Sequence, residues 1–144
     1  MKCCAVIDTN VLVAALLSKR DDSATVRVIR AMFSGVFIPL YHKDILEEYE
    51  DVLSRKKKYD LSESAIQTLL KAIRRFGIEV FPKPTGEIFI DEDDIIFYEV
   101  AMEKRDDNAY LVTGNLKHYH VRDFIVTPAK MIAILEGQKD LEKE

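Results

Sequence analysis

Lys2-Cys3-Cys4-Ala5-Val6-Ile7-Asp8-Thr9-Asn10-Val11-Leu12-Val13 is the stretch from which the fold is read. An apolar run reaches Ile7, breaks at Asp8-Thr9-Asn10, and resumes as Val11-Leu12-Val13-Ala14-Ala15. A run this short suits a buried strand or a buried piece of helix. The polar break favours a strand that stops and a helix that starts. In an open α/β sheet, ligands sit just outside the carboxyl ends of the strands, which is where Asp8 falls. The competing explanation is local, since Asp, Thr and Asn are all good helix N-caps. What else converges on Asp8 decides between them.

The totals describe one folded domain. The chain has 144 residues, 48% apolar and 32% charged, which suits a single globular unit of the commonest size. Residues 1–137 are expected to form it, and 138–144 read as a charged C-terminal tail. No stretch approaches the ~20 apolar residues of a membrane span, and there is no basic-then-apolar leader. Cys3 and Cys4 are adjacent in the first strand. They lack metal-site spacing and suit a reducing compartment, so a cytoplasmic location is expected. The net charge of −4 does not advertise a nucleic-acid binder, but the charge is clustered. Arg55-Lys56-Lys57-Lys58 is basic and Asp91-Glu92-Asp93-Asp94 is acidic. A basic rim around an acidic pocket gives such a total, and so does an ordinary mixed surface.

Outward from the first strand, short apolar runs alternate with amphipathic ones. A helix is predicted over 11–17, then another from a Ser23 cap to Phe33, ended near Gly35. A second strand spans 36–38 and is closed by Pro39. Ile45, Leu46, Tyr49, Val52 and Leu53 share a helix face, and Ile66, Leu69, Leu70, Ile73 and Phe76 share another after Ser62. A third strand spans 78–81. Residues 83–93 form a loop with an extended piece at 88–90. A helix opens at Asp94, a fourth strand spans 110–113, a fifth spans 124–126, and Pro128 starts the last helix. This alternation implies an α/β fold with a mainly parallel sheet covered on both faces.

Three acids and an asparagine stand out. Glu48 borders the apolar stripe of its helix at ~100° per residue, whereas Glu47 lies opposite it. A border glutamate either reaches over the core edge or stays solvated on its stem. Four successive acids at 91–94 repel one another unless a cation is near. One helix cap explains one of them but does not require four. Asn115 follows the fourth strand as Asp8 follows the first, so Thr113 and Asn115 either supply polar ligands or simply make a turn. Oxygen donors of this kind suit a hard divalent cation, which activates water and neutralises phosphodiester charge.

These residues carry a resemblance to the PIN domain, a small α/β/α metal-dependent ribonuclease fold. The chain looks closest to the toxin branch of prokaryotic toxin–antitoxin systems. The matching stretches are Val6-Ile7-Asp8-Thr9-Asn10-Val11-Leu12-Val13, the helix around Glu48-Tyr49, residues 91–101, Tyr110-Leu111-Val112-Thr113-Gly114-Asn115, and Val126-Thr127-Pro128. The resemblance implies a five-stranded sheet in the order 3-2-1-4-5, Mg²⁺ or Mn²⁺ as cofactor, and hydrolysis of RNA by an endoribonuclease. It implies that Asp8, Glu48 and Asp94 hold the metal and carry catalysis with Asn115, supported by Thr9, Asn10 and Thr113. Arg55, Lys56, Lys57 and Lys58 would grip the RNA backbone. A cognate antitoxin and a homodimer are the implied partners.

The fourth position departs from the pattern, because many such domains carry an acid where this chain has Asn115. Others pair that asparagine with an aspartate at the place of His118. A weaker second metal site is expected, with His118 a ligand, a phosphate contact or a cover for the turn, the last being the plainest. The alternative is a catalytically weak or inactive PIN-like module that binds RNA or a protein partner. A phosphatase reading fits less well, since Asn10 stands where nucleophilic phosphotransferases place a second aspartate. No glycine-rich phosphate loop or Ser/Cys–His motif is present.

Overall fold

The computed structural model describes residues 2–55 and 59–142, with side chains as far as residue 138. The strands are β1 (Cys4–Ile7), β2 (Ile38–Tyr41), β3 (Ile78–Glu79), β4 (Ala109–Val112) and β5 (Ile125–Val126). They form one sheet in the order β3-β2-β1-β4-β5, and every pairing is parallel. The expected order is the observed one.

Six α-helices are described: α1 (Thr9–Leu17), α2 (Ala24–Phe33), α3 (Lys43–Leu53), α4 (Glu63–Phe76), α5 (Ile95–Glu103) and α6 (Pro128–Glu142). Successive strand residues point to opposite faces, and all four residues of β1 are buried, so both faces of the central strand are covered. α5 packs on β1 and β4, α4 packs on β2, and α2 lies between α1 and α6. The helix ends follow local rules. Ser23 and Ser62 accept hydrogen bonds from the amides of Val26 and Ala65. α2 closes with Gly35 at φ +75°, and the amides of Gly35 and Val36 return to the carbonyls of Met32 and Ala31. This paired closure is the Schellman arrangement, which favours glycine.

Two expectations are corrected. The second strand is not closed by Pro39 but runs through it to Tyr41. The Ile38 amide donates to Cys3 on the β1 side, so the nitrogen of Pro39 faces the other way. There β3 begins only opposite Leu40, and no ladder bond is lost. The last helix continues through the residues read as a tail, as far as Glu142. The third and fifth strands are two residues each. Among the described residues no helix is long and apolar enough to cross a membrane.

The β1–β4 register positions the ends of the two central strands. Ile7 pairs with Val112, so the chain leaves both strands at the same level. Asp8 and Thr113 emerge side by side.

Candidate active site

Asp8 occupies the N-cap position of α1, yet its side chain makes no cap hydrogen bond. Asp94 occupies the same position on α5 and makes none either. The capping near Asp94 is done by Asp91, whose Oδ1 accepts from the Asp93 amide at 3.0 Å. The local explanation for these acids therefore fails at both helices. Instead, Asp8 Oδ2 accepts from the Thr113 hydroxyl at 2.8 Å and from the Tyr119 hydroxyl at 3.1 Å. The Tyr119 hydroxyl also lies 3.4 Å from Asp94 Oδ1. Asp8 and Asp94 are only 6% and 8% exposed, so two carboxylates share a nearly dry floor.

The backbone that presents Asp8 is fixed on both sides. Its amide donates to the Val112 carbonyl at 2.9 Å, and the buried Tyr49 hydroxyl on α3 donates to the Ile7 carbonyl. Glu48 precedes Tyr49 and is half-buried, while Glu47 is exposed, as the helical angle predicts. Glu48 Oε2 accepts from the Thr9 hydroxyl. Asn10 serves the opposite wall, its Oδ1 accepting from the Gly114 amide at 3.1 Å. Thr113 accepts from the Asn115 amide at 3.0 Å and so links Asp8 to the turn after β4.

Asp8, Thr9, Asn10, Glu48, Asp91, Asp93, Asp94 and His118 line one open cleft of ≈ 360 Å³, with Val13, Ala14, Val52 and Tyr59. Asn115 does not line it. Its side-chain amide donates to His118 Nε2 at 2.8 Å, and His118 Nδ1 stands 3.2 Å from Asp94 Oδ2. His118 thus does more than cover the turn, and Asn115 touches the cleft through it. A second hollow of ≈ 400 Å³ adjoins at Glu48, Val52 and Asp93, and Asp44, Glu47, Asp51, Arg55 and Glu92 contribute to it. Arg55 is exposed there; Lys56, Lys57 and Lys58, expected to bind RNA, lie outside the described residues.

Burial and mutual repulsion raise the acids. The Asp94 carboxyl is pushed up to about 6, first by desolvation and then by Asp8 and Asp91, with His118 and Tyr119 opposing. Burial raises Asp8 against the hydrogen bonds of Thr113 and Tyr119. Burial also raises Glu48, assisted by Asp8, Asp93 and Asp94, against the bond from Thr9. Among the described residues, no three His, Cys, Asp or Glu side chains are gathered closely enough to hold a metal ion as they stand. A hard cation does not require three, because Mg²⁺ is commonly held by one or two carboxylates with water completing its shell. One observation does fit a cation. Asp94 Oδ2 is the one buried side-chain polar atom without a hydrogen-bond partner among the described residues; the nearby His118 nitrogen is close without making a hydrogen bond. A buried carboxylate oxygen left unsatisfied is costly, and a divalent ion would satisfy it.

Tyr119 is the residue that sequence reasoning missed. It sits in a polar turn with no periodicity, beside two histidines that attract more notice. Its ring is held at 6.0 Å from that of Phe89. Phe89 is buried while Ile88 and Ile90 are exposed, so the loop expected at 83–93 anchors the wall behind the site. An aromatic with a hydroxyl just after a strand-end turn was the only signal available.

A parallel sheet in this order, with Asp8 at the carboxyl end of its central strand and Asp94 at the start of a helix packed on that strand, defines a class of small α/β domains, and the sequence comparison agrees. The family model described as PIN domain matches residues 4–117. The chain belongs to the PIN domain family. Among solved structures, the chain is similar to VapBC2 from Rickettsia felis, crystallised bound to a DNA fragment from its promoter. The TM-score is 0.52 at 18% identity, covering 85% of this chain and 96% of that one. None of the curated proteins matches the sequence.

Proposed function

We propose that this PIN domain is a Mg²⁺- or Mn²⁺-dependent endoribonuclease, the toxin of a toxin–antitoxin pair. One observation carries the reading. Two acids at helix N-cap positions are turned away from their helices and face each other across Tyr119, and Asp94 Oδ2 is left without a hydrogen bond. Asp8 and Asp94 would hold the ion, with Glu48, steadied by Thr9 at the rim, beside them. When bound, such an ion would supply charge stabilisation at a phosphodiester and would favour ionisation of a water. Thr113 and Tyr119 keep Asp8 aimed, and His118 steadies Asp94. Burial raises these carboxyls, and a cation beside them would oppose that shift by favouring the ionised form. Arg55, which lines the hollow beside the acidic cleft, contacts the RNA backbone, and the resemblance implies the same role for Lys56, Lys57 and Lys58.

PIN-family membership and the likeness to the VapBC2 structure support the toxin role, with a cognate antitoxin as partner, a homodimer as the working form and the cytoplasm as its place. The second reading, a weak or inactive module that binds RNA or a protein, draws on the absence of a gathered three-ligand set among the described residues. The test is cleavage of an RNA panel by purified protein with Mg²⁺, Mn²⁺ or chelator. Cleavage that needs the ion and vanishes in Asp8→Asn is expected. Cleavage that survives Asp8→Asn contradicts the assignment, and ion binding without cleavage of any RNA favours the second reading.

A further inference from the structure

We propose that Tyr119 is a positioning residue whose hydroxyl clamps Asp8 and Asp94 together for cation binding. The inference rests on the metal-dependent reading above. The hydroxyl lies 3.1 Å from Asp8 Oδ2 and 3.4 Å from Asp94 Oδ1. Among the described residues it is the group within hydrogen-bond reach of both carboxylates. A second hydroxyl, that of Thr113, is on the same Asp8 oxygen. Together they leave Asp8 Oδ1 outside this pair of bonds, while Tyr119 faces Asp94 Oδ1 and not the unsatisfied Oδ2. One phenol thereby fixes which edge of each carboxylate faces away from it. Two buried acids in a dry floor otherwise repel and swing apart, and the spacing a cation needs is lost.

The clamp is itself held rigidly. Tyr119 is 6% exposed, and its ring meets Phe89 edge-on. Phe89 also packs on Tyr98 at 5.1 Å and on His120 at 5.7 Å. His120 Nε2 pairs with the Ile88 carbonyl at 3.1 Å, which ties the 83–93 loop to the turn bearing Tyr119. The hydroxyl is therefore preorganised by a wall that takes no part in ligation. Partners of this outer kind orient ligating carboxylates, and their loss typically lowers metal affinity ~10–100-fold.

The experiment is a Mn²⁺ titration of the full chain, followed by loss of the free-ion paramagnetic resonance signal. Wild type is compared with Tyr119→Phe, Phe89→Leu and Asp94→Asn, and each is checked for folding by its melting curve. Tyr119→Phe keeps the ring and is expected to bind Mn²⁺ roughly 10-fold or more weakly. Phe89→Leu loosens the wall, keeps the hydroxyl and is expected to melt earlier with affinity reduced far less. Wild-type affinity or tighter in Tyr119→Phe overturns the clamp. An equal loss in both variants also overturns it, by assigning the effect to packing. If Tyr119→Phe fails to fold, Tyr119→Leu is titrated in its place: a loss of roughly 10-fold or more supports the clamp, and wild-type affinity overturns it. If wild type and Asp94→Asn bind Mn²⁺ alike, the metal reading itself has failed.

Discussion

His118 Nδ1 stands 3.2 Å from Asp94 Oδ2, and the side-chain amide of Asn115 fixes the ring from behind. An amide N–H can only donate, so Asn115 Nδ2 donates to Nε2 and holds the ring in place beside Asp94. Asn115 thus acts on the acid floor at one remove. Asn115→Asp removes that donor, since an ionised carboxylate only accepts, so the contact that holds Nε2 is lost. A ring released from Asn115 no longer keeps its place 3.2 Å from Asp94 Oδ2 and leaves that carboxylate free to turn. Asn115→Asp is expected to weaken Mn²⁺ binding several-fold, and a titration showing tighter binding would place Asn115 at the ion directly.

The raised Asp94 carboxyl makes a stability prediction. Its folded pKa is about 6, above an unfolded value of ~3.9. Between these values the folded protein holds the proton more tightly, so stability falls as pH rises through the window. The penalty is complete above about 6 and absent below ~4. Asp94→Asn is therefore expected to stabilise the metal-free protein at pH 7 by up to about 3 kcal/mol, with the gain fading by pH 4–5. Saturating Mg²⁺ stabilises wild type by mass action and narrows or reverses the gap. Thermal melts across pH, with and without Mg²⁺, read both effects.

Thr113 is fully buried, donates to Asp8 and accepts from the Asn115 amide. Thr113→Val keeps the shape and removes both bonds, leaving a buried carboxylate and an amide short of a partner. A loss of ~1–3 kcal/mol is expected from urea unfolding. A neutral result would mean that water takes over the hydroxyl's place.

Gly77 links α4 to β3 where the backbone is crowded. A Cβ there would stand 2.5 Å from the Ile73 carbonyl oxygen and 2.6 Å from that of Pro39. Both are backbone atoms, one at the helix end and one in β2. Gly77→Ala is expected to cost ~1–3 kcal/mol, seen as a lower urea midpoint.

Sequence and structure agree where the signal is local. Asp8 was legible because an apolar run stops at it, and Glu48 because the helical angle separates it from Glu47. Asp94 was legible because four acids exceed what one cap needs. Gly35 and Ser62 end and begin their helices by backbone rules that any sequence obeys. Pro39 was misread because its effect depends on which neighbour its nitrogen faces, and that is set by sheet order. The order came from the family resemblance, not from spacing. Tyr119 was missed for a related reason. Its hydroxyl reaches Asp8 only through the β1–β4 register and reaches Asp94 only through the packing of the following turn.

The central claim is that Asp8 and Asp94 share one divalent cation. Anomalous diffraction from crystals soaked in Mn²⁺ tests it most directly. A manganese peak in the cleft, contacting both carboxylates and absent from Asp94→Asn crystals, is the predicted result. A fully soaked crystal with no peak there, or with manganese bound only elsewhere, would contradict it.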